Sequence, residues 1–175
     1  MSAPVAHAEG QAFLFAGRSF TGDFLLEDKV TVGGAIGAFR GPLGFEVTFD
    51  YTPLAAFTVG SLGSGVALTN VAGNVVVQVP IGDFAPYGTV GYGLFFADAD
   101  APPGTVDFLG RFNAFNFGFG AKVFVTDHFG VRIEYRRIAI QTDADNPKLR
   151  IPIAGITIDP SADVDRFTVG ASFRF

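Results

Sequence analysis

The chain predicts an all-β fold: a transmembrane up-and-down antiparallel β-barrel of eight strands. Three observations carry this. Apolar residues alternate with small or polar ones at period two from end to end, and nothing sustains a helical period. The gaps between alternating segments are short and long in strict turn. The chain is greasy, with 49% hydrophobic residues and a mean hydropathy of +0.37, yet has no run of about 18 apolar residues to form a spanning helix.

Eight segments alternate. They are Gln11 to Phe20, Val30 to Phe39, Leu43 to Tyr51, Gly65 to Val79, Tyr87 to Phe96, Arg111 to Val125, Gly130 to Ile140 and Asp165 to Phe175. In the third, Phe45, Val47, Phe49 and Tyr51 oppose Gly44, Glu46, Thr48 and Asp50. In the sixth, Phe115, Phe117, Phe119, Ala121, Val123 and Val125 oppose Asn116, Gly118, Gly120 and Lys122. The seventh sets Val131, Ile133 and Tyr135 against Arg132, Glu134 and Arg136. Arg137 breaks that alternation and suggests a bulge or an interface position.

The gaps Arg40–Pro42, Pro80–Pro86 and Thr126–Phe129 are short. Thr21–Lys29, Thr52–Ser64, Ala97–Gly110 and Gln141–Val164 are long and hold most of the aspartates. In a meander this places every long loop at one end, with the short turns and both termini at the other. Residues 1–10 read as a leader remnant or a disordered start, with Ala6-His7-Ala8 as a weak cleavage match, and residues 11–175 as the barrel.

The alternation alone does not say which face is inside. A lipocalin-like barrel would turn the apolar face in. The other face, however, is too rich in glycine for a water-facing surface. It mixes Gly33, Gly37, Gly91, Gly93, Gly118, Gly120 and Gly170 with Glu46, Lys122, Arg132, Glu134, Arg136 and Arg174. A narrow lumen suits that mixture, because small residues relieve crowding and opposite charges pair where water is scarce. These six charged residues are therefore expected to form a lumen network that fills the barrel. A narrow ion path is the functional alternative.

The terminal strand puts Phe167, Val169, Ala171, Phe173 and Phe175 on one face. Aromatic rings settle at membrane interfaces, so a strand ending on Phe175 fits a lipid-facing outer wall. Phe39, Phe45, Tyr87, Phe124, Phe129 and Phe173 are expected to join it in one interfacial girdle at the short-turn end.

Together, Pro86-Tyr-Gly-Thr-Val-Gly-Tyr-Gly93, Phe117-Gly-Phe-Gly120, Gly130-Val-Arg-Ile-Glu-Tyr-Arg136 and Phe167 to Phe175 resemble the OmpA-type eight-stranded outer-membrane barrels. The resemblance covers Gln11 to Phe175 and implies a multi-pass protein of the bacterial outer membrane, with short periplasmic turns and long extracellular loops. It implies contact with outer-membrane lipid and lipopolysaccharide. It also implies recognition by the barrel-assembly machinery, with Phe167, Val169, Ala171, Phe173 and Phe175 as the assembly signal. The peptidoglycan-binding domain carried by some relatives is not expected in this chain.

Chemistry is sparse. The only histidines are His7 and His128, both assigned to the short-turn end, and Gly130 stands where a deacylase-like serine would follow His128. No catalytic site, metal or cofactor is expected. Cys 0 removes thiol chemistry, and the net charge of −5 disfavours nucleic acid as a partner. Asp98, Asp100, Asp143, Asp145, Asp159, Asp163 and Asp165 lack EF-hand spacing and read as solvated loop charge. The segments Leu149–Ile153 and Ile156–Ile158 suggest that the last hairpin extends beyond the membrane. The expected protein is a monomer with a structural or envelope-integrity role. Two readings stay open: an adhesin or ligand receptor acting through the long loops, and a narrow channel.

Overall fold

The structure is a computed structural model that describes residues 9–21, 29–59, 62–99, 110–141, 150–151, 156–157 and 163–175. Eight long strands close into a barrel: β1 (Glu9–Thr21), β2 (Lys29–Arg40), β3 (Leu43–Val59), β4 (Leu62–Gln78), β5 (Phe84–Ala99), β6 (Gly110–Phe124), β7 (Phe129–Gln141) and β10 (Asp163–Arg174). Two short strands, β8 (Arg150–Ile151) and β9 (Ile156–Thr157), pair with each other between β7 and β10. Each barrel strand lies antiparallel to its sequence neighbour, and β1 closes the sheet against β10. No described helix is long and apolar enough to cross a membrane.

Closure removes both sheet edges, so every barrel strand has a partner on each side. The seam runs from Thr21↔Val164 to Gln11↔Arg174. It finishes on Phe175, whose N–H and carbonyl both bond the backbone of Gly10 at 2.9 Å. The last residue is thus the final rung of the seam.

The turns at this end are tight because the chain provides residues that suit them. Gly41 and Gly82 take φ of 61° and 63°, a region that side chains with a Cβ rarely occupy. In the bend between β6 and β7, Thr126 Oγ1 accepts the Phe129 N–H at 3.0 Å.

Within the expected long gap at Thr52–Ser64, Thr52–Val59 and Leu62–Ser64 are instead strand. A register shift between Pro53 and Ala55 accommodates the proline, and pairing resumes to Val59↔Leu62. Proline cannot donate to a ladder and so reads as a strand end, but a bulge absorbs it. β1 begins at Glu9, two residues ahead of the expected start, because Glu9 and Gly10 pair with Phe39 and Ala38 of β2.

The barrel is inverted relative to a soluble one. Its outer wall exposes Leu14, Val32, Ile36, Phe45, Val47, Phe49, Tyr92, Phe117, Phe119, Ile133, Phe167 and Val169. Its buried residues include Gln11, Glu46, Asp50, Asn70, Asn74, Lys122, Arg132, Glu134, Arg136 and Arg166. The glycines of the inner face keep the walls close. At Gly170 a Cβ would run into the Leu14 carbonyl and the Phe15 backbone, whereas at Gly73, on the outer face, it would meet nothing within 4 Å.

The expected girdle divides. Phe45, Phe129, Phe173 and Phe175 are exposed outside, with Phe129 and Phe173 in edge contact at 5.4 Å. Phe39, Tyr87 and Phe124 are buried inside instead, because they share parity with Gly37, Thr89 and Lys122 on their strands.

Replacing Gly170 by Val should cost about 2 kcal/mol or more through overpacking. Gly73→Ala should leave stability unchanged within about 0.5 kcal/mol, as at an unconstrained surface position. Urea unfolding in lipid vesicles, read by the heat-dependent mobility shift on SDS gels, checks both.

Candidate functional site in the filled lumen

The inner wall is built from alternate residues of all eight barrel strands, and they stack in layers along the axis. At the short-turn mouth, Arg174 Nε lies 2.8 Å from Glu9 Oε1, and its guanidinium packs 3.7 Å from the Phe124 ring centroid. One layer deeper, Lys122 Nζ donates to Gln11 Oε1 at 2.7 Å and Gln78 Oε1 at 3.2 Å. It also sits 3.9 Å from the Phe39 ring centroid.

The central layer is an ion-paired lattice. Arg132 lies at 2.5 Å from both Glu46 Oε2 and Glu134 Oε2. Arg136 Nη2 pairs with Glu134 Oε1 at 2.8 Å and approaches Glu46 Oε1 at 3.8 Å. Tyr87 joins them: its hydroxyl accepts from Arg132 Nε at 2.6 Å and donates to Glu134 Oε2 at 2.7 Å. Asn74 closes the lattice, accepting from Arg136 Nη1 at 3.3 Å and donating to Thr48 Oγ1 at 2.9 Å. Two arginines thus neutralise two carboxylates where bulk water is excluded. Such pairing is what makes buried charge tolerable.

A second network lies nearer the loops. Arg166 Nη1 pairs with Asp50 Oδ2 at 2.6 Å, and Asn70 Nδ2 donates to the same oxygen at 2.8 Å. Arg166 Nε donates to Ser19 Oγ at 3.1 Å, and Ser19, Thr31 and Thr52 form a hydroxyl chain with links of 2.7 Å. Beside it, Phe95, Ala114, Ile138 and Val164 form a buried apolar cluster against Leu68, Phe112 and Ile140. Apolar side chains therefore line the lumen at that level.

Of the six charged residues expected in the lumen, Glu46, Arg132, Glu134 and Arg136 form the central lattice. Lys122 lies one layer away with neutral partners, and Arg174 stands at the half-open rim. Asp50, Arg166 and Glu9 belong to the same interior and were not among the six. The signal for Asp50 was present: it shares parity with Glu46 on its strand. Arg166 has the same parity as Arg174. Arg137 finds its explanation outside the barrel. It points outward from β7 and takes Asp163 Oδ2 of β10 at 2.8 Å, beside Asp165, which accepts from Tyr135 at 2.7 Å. Asp163 and Asp165 are thus partners of Arg137 rather than loop charge. Asp100, Asp143, Asp145, Asp159 and His7 lie outside the described residues.

His128 lies in the exposed bend before β7. No group of three or more His, Cys, Asp or Glu able to hold a metal occurs among the described residues.

A closed antiparallel barrel with an apolar outer wall and an ion-paired interior defines an integral outer-membrane β-barrel. The chain belongs to the outer membrane protein beta-barrel domain family, whose model matches residues 8–175. It resides in the outer membrane. Its fold is similar to that of Neisserial surface protein A, with a TM-score of 0.67 at 14% identity over 96% of this chain and 97% of that one. It is also similar to Ail of Yersinia pestis, solved in complex with the heparin analogue sucrose octasulfate, with a TM-score of 0.64 at 14% identity over 96% and 98%. The N-terminal barrel of Pseudomonas aeruginosa OprF gives 0.62 at 13% identity over 95% and 97%. No curated protein matches the sequence.

Arg132→Met should cost about 3–5 kcal/mol, because it leaves Glu46 and Glu134 underpaired in the barrel centre. Arg137→Ala, which removes an exposed pair, should leave the urea midpoint close to that of wild type. Comparing their urea midpoints with wild type in the same vesicles separates the two classes of ion pair.

Proposed function

We propose that the protein is a non-conducting, non-catalytic barrel that contributes to the integrity of the outer membrane. The observation that carries this reading is the filled lumen. Two ion-paired networks and an apolar cluster occupy the space a permeation path would need. An ion crossing the centre would have to displace Arg132 from two carboxylates at once. The filled interior therefore argues against the narrow-channel reading. The lumen ion pairs have a structural task, so nothing requires them to be reactive.

The outer wall supports the same role. Its apolar belt matches the acyl region, and Tyr135, Arg137, Asp163 and Asp165 form a polar band where the long-loop end meets the headgroups. Lipopolysaccharide is the partner proposed for that band. Phe167, Val169, Ala171, Phe173 and Phe175 lie on the outward face of β10 and its end, which supports their proposed use as the signal for the assembly machinery. A monomer accords with a sheet that closes on itself within one chain.

A second reading has its own support. β3 and β4 run beyond the level at which β2 ends its pairing, at Val32↔Tyr51, and β8 and β9 form a further hairpin in the final loop. Hairpins raised above the membrane provide a surface for an extracellular ligand, as in an adhesin. Deleting residues 142–162 and measuring attachment to host or matrix preparations tests this. Unchanged attachment by an inserted barrel would remove it.

Planar-bilayer recordings of the folded protein should show no unitary conductance above background; stable openings would overturn the integrity reading in favour of a channel. Removing Phe175 should lower the yield of inserted protein in cells more than it lowers the urea midpoint of what does insert. Equal losses would assign Phe175 to the seam alone.

A further inference from the structure

A cavity of about 240 Å³ opens at the short-turn mouth. Glu9, Phe39, Gln78, Pro80, Phe124 and Arg174 are among its lining residues. Its inner side meets the layer of Lys122, Gln11 and Gln78, all buried, with the ion-paired lattice beyond. The space is therefore a blind recess and not the start of a path. Its size suits a ligand of about ten to fifteen non-hydrogen atoms at most, well below a drug-sized pocket.

The charges behind this recess are unbalanced. Every buried arginine among the described residues has a carboxylate: Arg132 and Arg136 share Glu46 and Glu134, and Arg166 has Asp50. Lys122 is fully buried and has none. Its Nζ has two amide oxygens and the faces of Phe39 and Tyr87. Amide dipoles and ring quadrupoles soften a buried ammonium but carry no opposite charge. Of its contacts, Gln78 and Phe39 are themselves walls of the recess, so Lys122 lies directly behind that wall. Arg174 adds a second cation at the rim. Its Nε approaches Glu9 Oε1 at 2.8 Å without a hydrogen bond. Phe39, Phe124, Pro80 and Ala85 add aromatic and aliphatic wall, and Gly41 and Gly82 complete it.

We propose that this recess is a binding site for a small organic carboxylate. The carboxylate would face Arg174, with Lys122 behind the inner wall, and the apolar body would lie between Phe39 and Phe124. A guanidinium matches a carboxylate in a forked geometry, and rim placement lets the ligand keep part of its hydration. The occupant would arrive from the compartment facing the short turns. This site is separate from the extracellular surface and needs no conduction, so it stands or falls independently of the integrity and adhesin readings.

The test is calorimetric titration of the folded protein in nanodiscs with sodium benzoate, using benzamide as the uncharged analogue of the same shape. Benzoate should bind saturably, and benzamide about tenfold more weakly, as expected for loss of a charge-assisted contact. Arg174→Gln, at the rim, should weaken benzoate about fivefold or more and leave benzamide unchanged. Lys122→Gln should act in the same direction, with the SDS mobility shift confirming that it folds; where it does not fold, Arg174→Gln decides. No saturable benzoate binding, equal binding of benzamide, or unaltered benzoate affinity in Arg174→Gln would each overturn the proposal.

Discussion

The absence of water around the strands governs the rest of this structure. A backbone N–H or carbonyl in hydrocarbon has no solvent partner, so the sheet must supply them all. It does so by closing β1 on β10, with Gly10 and Phe175 as the last rung. Once the sheet is closed, each strand has one face to lipid and one to a narrow interior. The outward side chains can then be apolar without a core to bury them. The inward ones must fill the narrow space that eight strands enclose.

That narrowness explains why the interior is charged and yet closed. Glycines at the inner positions bring strands near enough that a Cβ at Gly118 or Gly170 would meet the neighbouring backbone. Long side chains from opposite walls then meet near the axis. Arg132 reaches Glu46 from β7 to β3, two strands that share no ladder. Contacts of this kind tie the barrel across its diameter, whereas ladder hydrogen bonds tie it only around its circumference. Tyr87 is part of the same bracing, through its bonds to Arg132 and Glu134. The layers also differ in kind along the axis. Balanced ion pairs occupy the middle, an apolar cluster the loop end, and a buried lysine with no carboxylate partner the turn end.

Much of this was legible because period two survives translation into structure without loss. A strand position has only two directions, and the alternation of Phe115, Phe117 and Phe119 with Asn116, Gly118 and Gly120 assigns them both. The same rule places Phe39, Tyr87 and Phe124 inside, where aromatic chemistry alone suggested the interfacial girdle. Parity was the stronger signal, because backbone geometry fixes it while ring preference only biases it. Pro53 misled in the other direction. Its missing N–H marks a strand end in isolation, yet a bulge let β3 continue to Val59.

Local alternation in the sequence was enough for the strand cores, for the two faces wherever parity was followed, and for the polar character of the interior. The sequence also held the glycines that permit a narrow bore. Partnership was decided only by the closed barrel. Glu46 and Arg132 are 86 residues apart, and nothing local says that their side chains meet. Arg166 could have served Glu46 as readily as Asp50, and Arg137 had no evident partner until β10 set Asp163 and Asp165 beside it. Lys122 is the sharpest case. Composition counts it as one more lumen charge, but only the register around the barrel leaves it without a carboxylate, beneath a recess that opens at the turn end. Pairing across a lumen depends on stagger and diameter, and these belong to the closed sheet as a whole.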